Sequence, residues 1–147
     1  MNRVIEGVKL SKNKIINSVD GSVLHGIKRT DNSYKGFGEA YFSTVNFNCV
    51  KGWKKHTQMN LNLIVPHGEI LFVLYDGRQN SPTFQMYNEY FLSIKNYARL
   101  TIPPKIWVAF KGIGKKKNLL LNIADIEHDQ NEIERCSLDE IRYEWKK

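Results

Sequence analysis

The chain has 147 residues, 41% apolar and 25% charged, which suits one domain with a proper core and excludes disordered and collagen-like polymers. Its net charge of +7 calls for an acidic partner, either nucleic acid or a phosphate-bearing small molecule. No apolar run approaches the roughly 18–20 residues that span a bilayer, and Met1–Gly7 lacks the apolar core of a secretory signal, so the expectation is a cytoplasmic protein with no membrane partner.

Val8 to Ile15 and Ser22 to Ile27 read as short strands joined through the turn pair Asp20-Gly21. Arg29 to Gly38 is loop chemistry, and Glu39 to Asn46 alternates as a strand. The central stretch, Cys49 to Arg78, reads as a strand, a second strand, a tight Pro66-His67-Gly68 turn and a third strand ending at Asp76-Gly77. A loop through Pro82 follows, then the extended aromatic segment Phe84 to Ile94, a turn at Lys95-Asn96 and a short strand Arg99 to Ile102. Ile106 to Lys111 and Asn118 to Ile123 read as the arms of a hairpin whose solvated tip is Lys115-Lys116-Lys117. The tail, Glu127 to Lys147, is rich in acids and reads as helical or irregular.

Many short strands with Gly, Pro and Asn punctuation argue for an all-β barrel or double-sheet jelly roll with a short irregular or helical C-terminal tail. Such a barrel has a mouth that holds one ligand, in a cavity that is mostly apolar and pinned by a few polar groups. Cys49 and Cys136 stand far apart with no metal-ligand spacing, so neither a disulfide framework nor a zinc site is indicated. The sequence carries no RNA-binding aromatic motif, helix-turn-helix or finger spacing, which makes nucleic acid the weaker of the two acidic partners.

The order of short motifs is more specific than any one of them. K-G-W-x-x-H from Lys51, then Gln58, P-x-G-E-I from Pro66, L-Y-D-x-R from Leu74, S-P-T from Ser81, L-T-I-P-P-x-x-W from Leu100, F-K-G-I-G from Phe110, L-L-L-N-I from Leu119 and Y-x-W from Tyr143 run from about Gly38 to Trp145. Together they resemble the dTDP-4-dehydrorhamnose 3,5-epimerase family of cupin barrels, in a short and divergent form. The resemblance implies a single cupin domain over 1–147: N-terminal strands and loop in 1–37, the barrel core in 38–126 and the tail in 127–147. It also implies a nucleotide-linked sugar as partner, a homodimer, a place in surface-polysaccharide synthesis, and no resident cofactor.

The family reaction takes a proton from carbon beside a 4-keto group, which needs a base near neutrality, an acid and a cation for the enolate. The family's base histidine aligns with Lys54, its lysine with Asn60, its acid tyrosine with Ile126 or Glu127, and a further histidine with Val108. These departures argue against 3,5-epimerisation as such and leave keto-sugar epimerisation or isomerisation, or a sugar-nucleotide-binding cupin without catalysis. Metal-binding cupins use clustered imidazoles; with Lys54 and Val108 in those slots and His56 alone, no metal is expected.

His56 and Lys54 are the candidate catalytic pair. His56 is either a cavity-facing base or a hydrogen-bonded strand-end histidine, and Lys54 either a base with a lowered pKa or the cationic partner of a phosphate or carboxylate. Gln58, Asn60 and Asn62 continue the same parity and are candidate substrate contacts, the alternative being a water-facing edge. Lys51 matches the family's phosphate-binding arginine but lies on the opposite parity, unless a bulge at Gly52 resets the register. Arg78 is either a substrate contact or the ion-pair partner of Asp76, and Trp107 either stacks on the ligand or belongs to the core. Glu39, Tyr41 and Asn122 reach the cavity on parity alone, and His128 belongs to a solvated acidic segment.

Overall fold

The computed structural model describes residues 3–146. Met1 and Asn2 of the N-terminal segment and Lys147 of the tail lie outside the described residues. The strands in chain order are β1 (Lys9–Lys12), β2 (Ile15–Ile16), β3 (Val23–Leu24), β4 (Glu39–Thr44), β5 (Val50–His56) and β6 (Leu61–His67), followed by β7 (Glu69–Tyr75), β8 (Tyr87–Ser93), β9 (Ala98–Ile102), β10 (Trp107–Gly112), β11 (Leu119–Ala124) and β12 (Ile133–Arg135). A single 3-10 turn, Gln130–Glu132, precedes β12.

Two antiparallel five-stranded sheets face each other, in the orders β1-β9-β6-β11-β4 and β12-β5-β10-β7-β8, with β2-β3 as a separate hairpin. This is the all-β jelly roll that the strand pattern implies. From β4 onward the chain passes from sheet to sheet at every connection except β7–β8. The tight turn after β6 and the expected hairpin tip are therefore corners between sheets. Pro66-His67-Gly68 carries the chain from one sheet to the other, and so does the Lys115–Lys117 tip between β10 and β11.

The reason lies in the contact between the two corners. Gly68 has φ +82°, and a Cβ there would run into the Lys117 carbonyl and Asn118. The buried Asn118 ties the two corners together: its Oδ1 accepts from the Glu69 amide at 3.0 Å and its Nδ2 donates to the Val45 carbonyl at 3.1 Å.

Strand β7 is buried on both faces, as the unbroken apolar run I-L-F-V-L from Ile70 suggests. Ile70, Phe72 and Leu74 point between the sheets and meet Leu61, Leu63 and Val65 of β6. On the outer face Leu71 and Val73 pack with Trp53 and Ala109 under Ile141, Tyr143 and Trp145. The tail is thus neither a helix nor loose: it adds β12 to the edge of β5 and then covers this outer cluster, with Trp53 Nε1 donating to the Ile141 carbonyl at 3.0 Å. Among the described residues no helix is long and apolar enough to cross a membrane.

Candidate active site

The site is organised by an irregularity in β5. Lys54 is opposite Val108 of β10 and Lys51 is opposite Phe110, so Gly52 and Trp53 together face the single residue Ala109. This is a β-bulge. Gly52 has φ +153°, and a side chain there would collide with Ala109. The extra residue resets the alternation, so Lys51 and Lys54 line the same cavity as His56.

That cavity, about 360 Å³, opens between the sheets. One wall carries Tyr41 and Ser43 of β4, Leu61 and Leu63 of β6, and Leu120 and Asn122 of β11. The other carries the three β5 side chains with Val108, Phe110 and, from β12, Arg135. Most of the lining is apolar, with polar groups set at a few points, as ligand pockets usually are.

His56 is 6% exposed and its Nδ1 is hydrogen-bonded to Oε1 of Glu132, itself 2% exposed. The other Glu132 oxygen accepts from the Gln58 amide at 3.1 Å and the Met59 amide at 3.3 Å. Burial pushes the Glu132 carboxyl up, but the His56 bond and the two amides outweigh it and hold the group below its ordinary value, as carboxylate. Burial pushes the His56 imidazole down; Glu132 pulls it up, while Lys54 and His128 add to the downward push, and the net shift is downward. With Nδ1–H committed to the carboxylate, Nε2 remains as the basic nitrogen. Lys54 is half-buried, and burial first and Arg135 second lower its pKa.

The other expected contacts are placed differently. Asn60 and Asn62 turn away from the cavity, and Leu61 and Leu63 occupy the face assigned to them. Asn60 is held by Asp125, whose oxygens accept from its backbone amide at 2.7 Å and its Nδ2 at 2.8 Å. Asn62 is buried on the outer face, where Nδ2 donates to the Ser33 carbonyl and Oδ1 accepts from Thr101 at 2.6 Å. That face is covered by the 25–38 segment, pinned by the buried Arg99 to Asn13, Gly26 and Ser33. Polar residues can therefore be interior without facing the cavity.

Gln58 is exposed past the end of β5 and contributes its backbone amide to Glu132. Arg78 is the partner of Asp76, with Nε to Oδ1 at 2.8 Å and Nη2 to Oδ2 at 2.9 Å, and also donates to the Glu6 carbonyl. Trp107 packs on the outer face, 4.8 Å from the Lys55 ammonium. None of these three lines the cavity.

Two contributors were not legible beforehand: Glu132 and Arg135, both delivered by the tail. Tyr41 and Asn122, reached by parity alone, do line the cavity, and Asn122 Nδ2 donates to Tyr41 Oη at 3.0 Å. Among the described residues no three His, Cys, Asp or Glu side chains form a cluster able to hold a metal ion.

No protein-family model matches the chain. The crystal structure of a dTDP-sugar isomerase from Desulfovibrio desulfuricans G20 is 40% identical, with 92% of this chain and 87% of that one covered and a TM-score of 0.89. The chain belongs to the dTDP-4-dehydrorhamnose 3,5-epimerase family of sugar-nucleotide epimerases and isomerases. A dTDP-4-dehydrorhamnose 3,5-epimerase from Sulfolobus tokodaii, 23% identical over 99% of this chain and 85% of that one, shares the fold with a TM-score of 0.85. The probable low-salt glycan biosynthesis epimerase Agl13 of Haloferax volcanii is 30% identical over 84 residues, 56% of this chain. The aligned stretch spans about half, 54%, of that curated relative's length.

Proposed function

We propose that this family member moves a proton on the sugar ring of a nucleotide-linked keto-sugar, as an epimerase or isomerase, using its own side chains. The observation that carries the reading is the buried His56–Glu132 pair in the wall of a cavity lined by Lys51, Lys54 and Arg135. A hydrogen on carbon next to a ketone is acidic enough for an imidazole to remove if the resulting enolate is stabilised. His56, with its pKa shifted downward, is neutral at pH 7 and takes the proton on Nε2; Glu132 fixes the tautomer and balances the imidazolium that forms. The imidazolium then returns a proton to the neighbouring enolate carbon in an isomerisation, whereas solvent water delivers it to the opposite face in an epimerisation.

Lys54, two residues from His56 on the same face, supplies positive charge to the enolate oxygen. Lys51 and Arg135 are exposed and serve the diphosphate that links sugar to nucleoside, with Lys51 Nζ positioned by the Thr44 carbonyl at 2.6 Å. The D. desulfuricans relative is named for a dTDP-sugar, which makes dTDP the first nucleotide to test. The name of the Haloferax relative supports a place in glycan biosynthesis. The reading extends to a cytoplasmic homodimer, its dimeric part supported by the exposed Phe37 and Phe42, 65% and 63% accessible, the latter on the edge strand β4.

The test is incubation with dTDP-4-keto-6-deoxyglucose in D2O, followed by mass spectrometry of the sugar. One deuterium gained by the wild type and none by His56→Ala is the expected result. Binding without deuterium uptake across a panel of 4-keto sugars points instead to a binding protein.

A further inference from the structure

Asn122 poses a problem that the His56 chemistry leaves unanswered. It sits on β11, between the edge strand β4 and β6, opposite Tyr41 on one side and Leu63 on the other, and is 3% exposed. Its Nδ2 is used by Tyr41 Oη, but its Oδ1 has no hydrogen-bond partner among the described residues. A buried acceptor left empty is costly, and native proteins rarely tolerate one without a reason. Leucine would fit the chemistry of this wall better, since Leu61, Leu63 and Leu120 surround the same cavity.

The Tyr41 hydroxyl, having accepted from Asn122, still has its own proton to give. The pair therefore offers one empty acceptor and one free donor side by side. Exchanging the amide oxygen and nitrogen reverses the two roles and keeps that count. Both side chains line the cavity from the sheet opposite His56. A ketone beside a hydroxyl is the complementary arrangement: its carbonyl accepts and its neighbouring hydroxyl donates.

We propose that Asn122 and Tyr41 are the specificity-determining pair that reads an α-hydroxyketone, the sugar hydroxyl donating to Asn122 Oδ1 and the adjacent carbonyl accepting from Tyr41 Oη. The assignment rests on the keto-sugar reading above and narrows it: the substrate keeps a free hydroxyl next to its carbonyl. It also sets the ring between the pair on one wall and the His56 base on the other, so the carbon that loses its proton is presented to Nε2. Discrimination of this kind is strong because the analogue lacking the hydroxyl leaves a buried protein group unpaired.

The experiment is calorimetric titration of wild type, Asn122→Leu and Tyr41→Phe with three probes: dTDP, dTDP-4-keto-6-deoxyglucose and its 3-deoxy counterpart. Wild type is expected to prefer the hydroxylated sugar by about 10- to 100-fold. In at least one variant that preference should fall to about threefold or less, while dTDP alone binds all three proteins equally. Melting of Asn122→Leu separates this role from a structural one, because removing the empty acceptor should leave its midpoint unchanged or higher. A preference kept in both variants overturns the proposal while leaving the keto-sugar reading intact. Wild type that binds neither sugar better than dTDP overturns both. If Asn122→Leu does not fold, the Tyr41→Phe arm decides alone.

Discussion

His56 and Glu132 lie 76 positions apart and meet in the cavity wall, Nδ1 against Oε1. The histidine comes from the strand at the centre of the chain, the carboxylate from a one-turn 3-10 segment that Asp129 caps by accepting the Asn131 amide at 2.9 Å. In the proposed mechanism the tail and the base act as one unit: without β12 locked onto β5, the imidazole would lose its tautomer-fixing partner. An unpaired imidazole in the same burial would still be neutral, but the charge it acquires in the reaction would be uncompensated.

Glu132→Gln should consequently lower kcat by about 10²-fold or more, the lower range of what positioned acid–base groups contribute. The pH profile gives the sign. Glu132 raises the His56 pKa against the pull of burial, so its neutralisation lets that pKa fall further, and the acidic limb of kcat/KM should move to lower pH. A limb that stays in place would detach Glu132 from the base.

Lys54→Met provides the opposite displacement. Lys54 pushes the His56 pKa down; without it the imidazole is easier to protonate, and the acidic limb should move up toward the ordinary histidine value of about 6.5. Activity should also fall through loss of the enolate's cation. Opposite shifts in two variants would be hard to produce by general loosening of the fold, and parallel shifts would contradict the assignment of the base.

The strands were largely legible because period-two alternation is a local property, and β4 to β11 fall close to where the residues put them. Their partnerships were not. Whether Pro66-His67-Gly68 closes a hairpin or turns a corner depends on Asn118 and Lys117 across the gap, which no window around Gly68 contains. Parity located His56, Lys54, Tyr41 and Asn122 but failed on β6. There polar asparagines are buried on the outer face by the Arg99-pinned segment, and leucines form the cavity wall. Glu132 sits in an element too short to show any period, so its role is visible only in three dimensions.

Asp76 gives a test of the fold independent of the cavity. It is fully buried and accepts from Arg78, Ser81 Oγ at 2.6 Å and Thr83 Oγ1 at 2.6 Å. Burial raises its pKa, but Arg78 and the two hydroxyls outweigh that and hold the carboxyl well below the usual carboxylate range. A depressed folded-state pKa stabilises above the unfolded value and is lost as pH falls, here below about pH 4. Asp76→Asn should cost about 2–4 kcal/mol at neutral pH, chiefly by leaving Arg78 and the hydroxyls poorly matched. It should also flatten the acid side of the stability curve, both read from urea unfolding at several pH values.

Arg135 stands directly opposite Lys54 in the β12–β5 register. Neither side chain has a carboxylate partner within ion-pair distance among the described residues. Like charges facing each other across antiparallel strands are unfavourable, and Arg135 already depresses the Lys54 pKa, so the free protein carries a repulsion that a bound anion would relieve. Arg135→Ala should therefore leave the melting temperature unchanged or slightly higher, while weakening dTDP binding by about tenfold, as loss of one charge-assisted contact does. The salt dependence of dTDP binding should become shallower as well, because one fewer cation takes part. Calorimetric titration at two ionic strengths reads both quantities. Unchanged affinity together with a lower melting temperature would make Arg135 a structural residue of the β12 edge and return the diphosphate to Lys51 and Lys54.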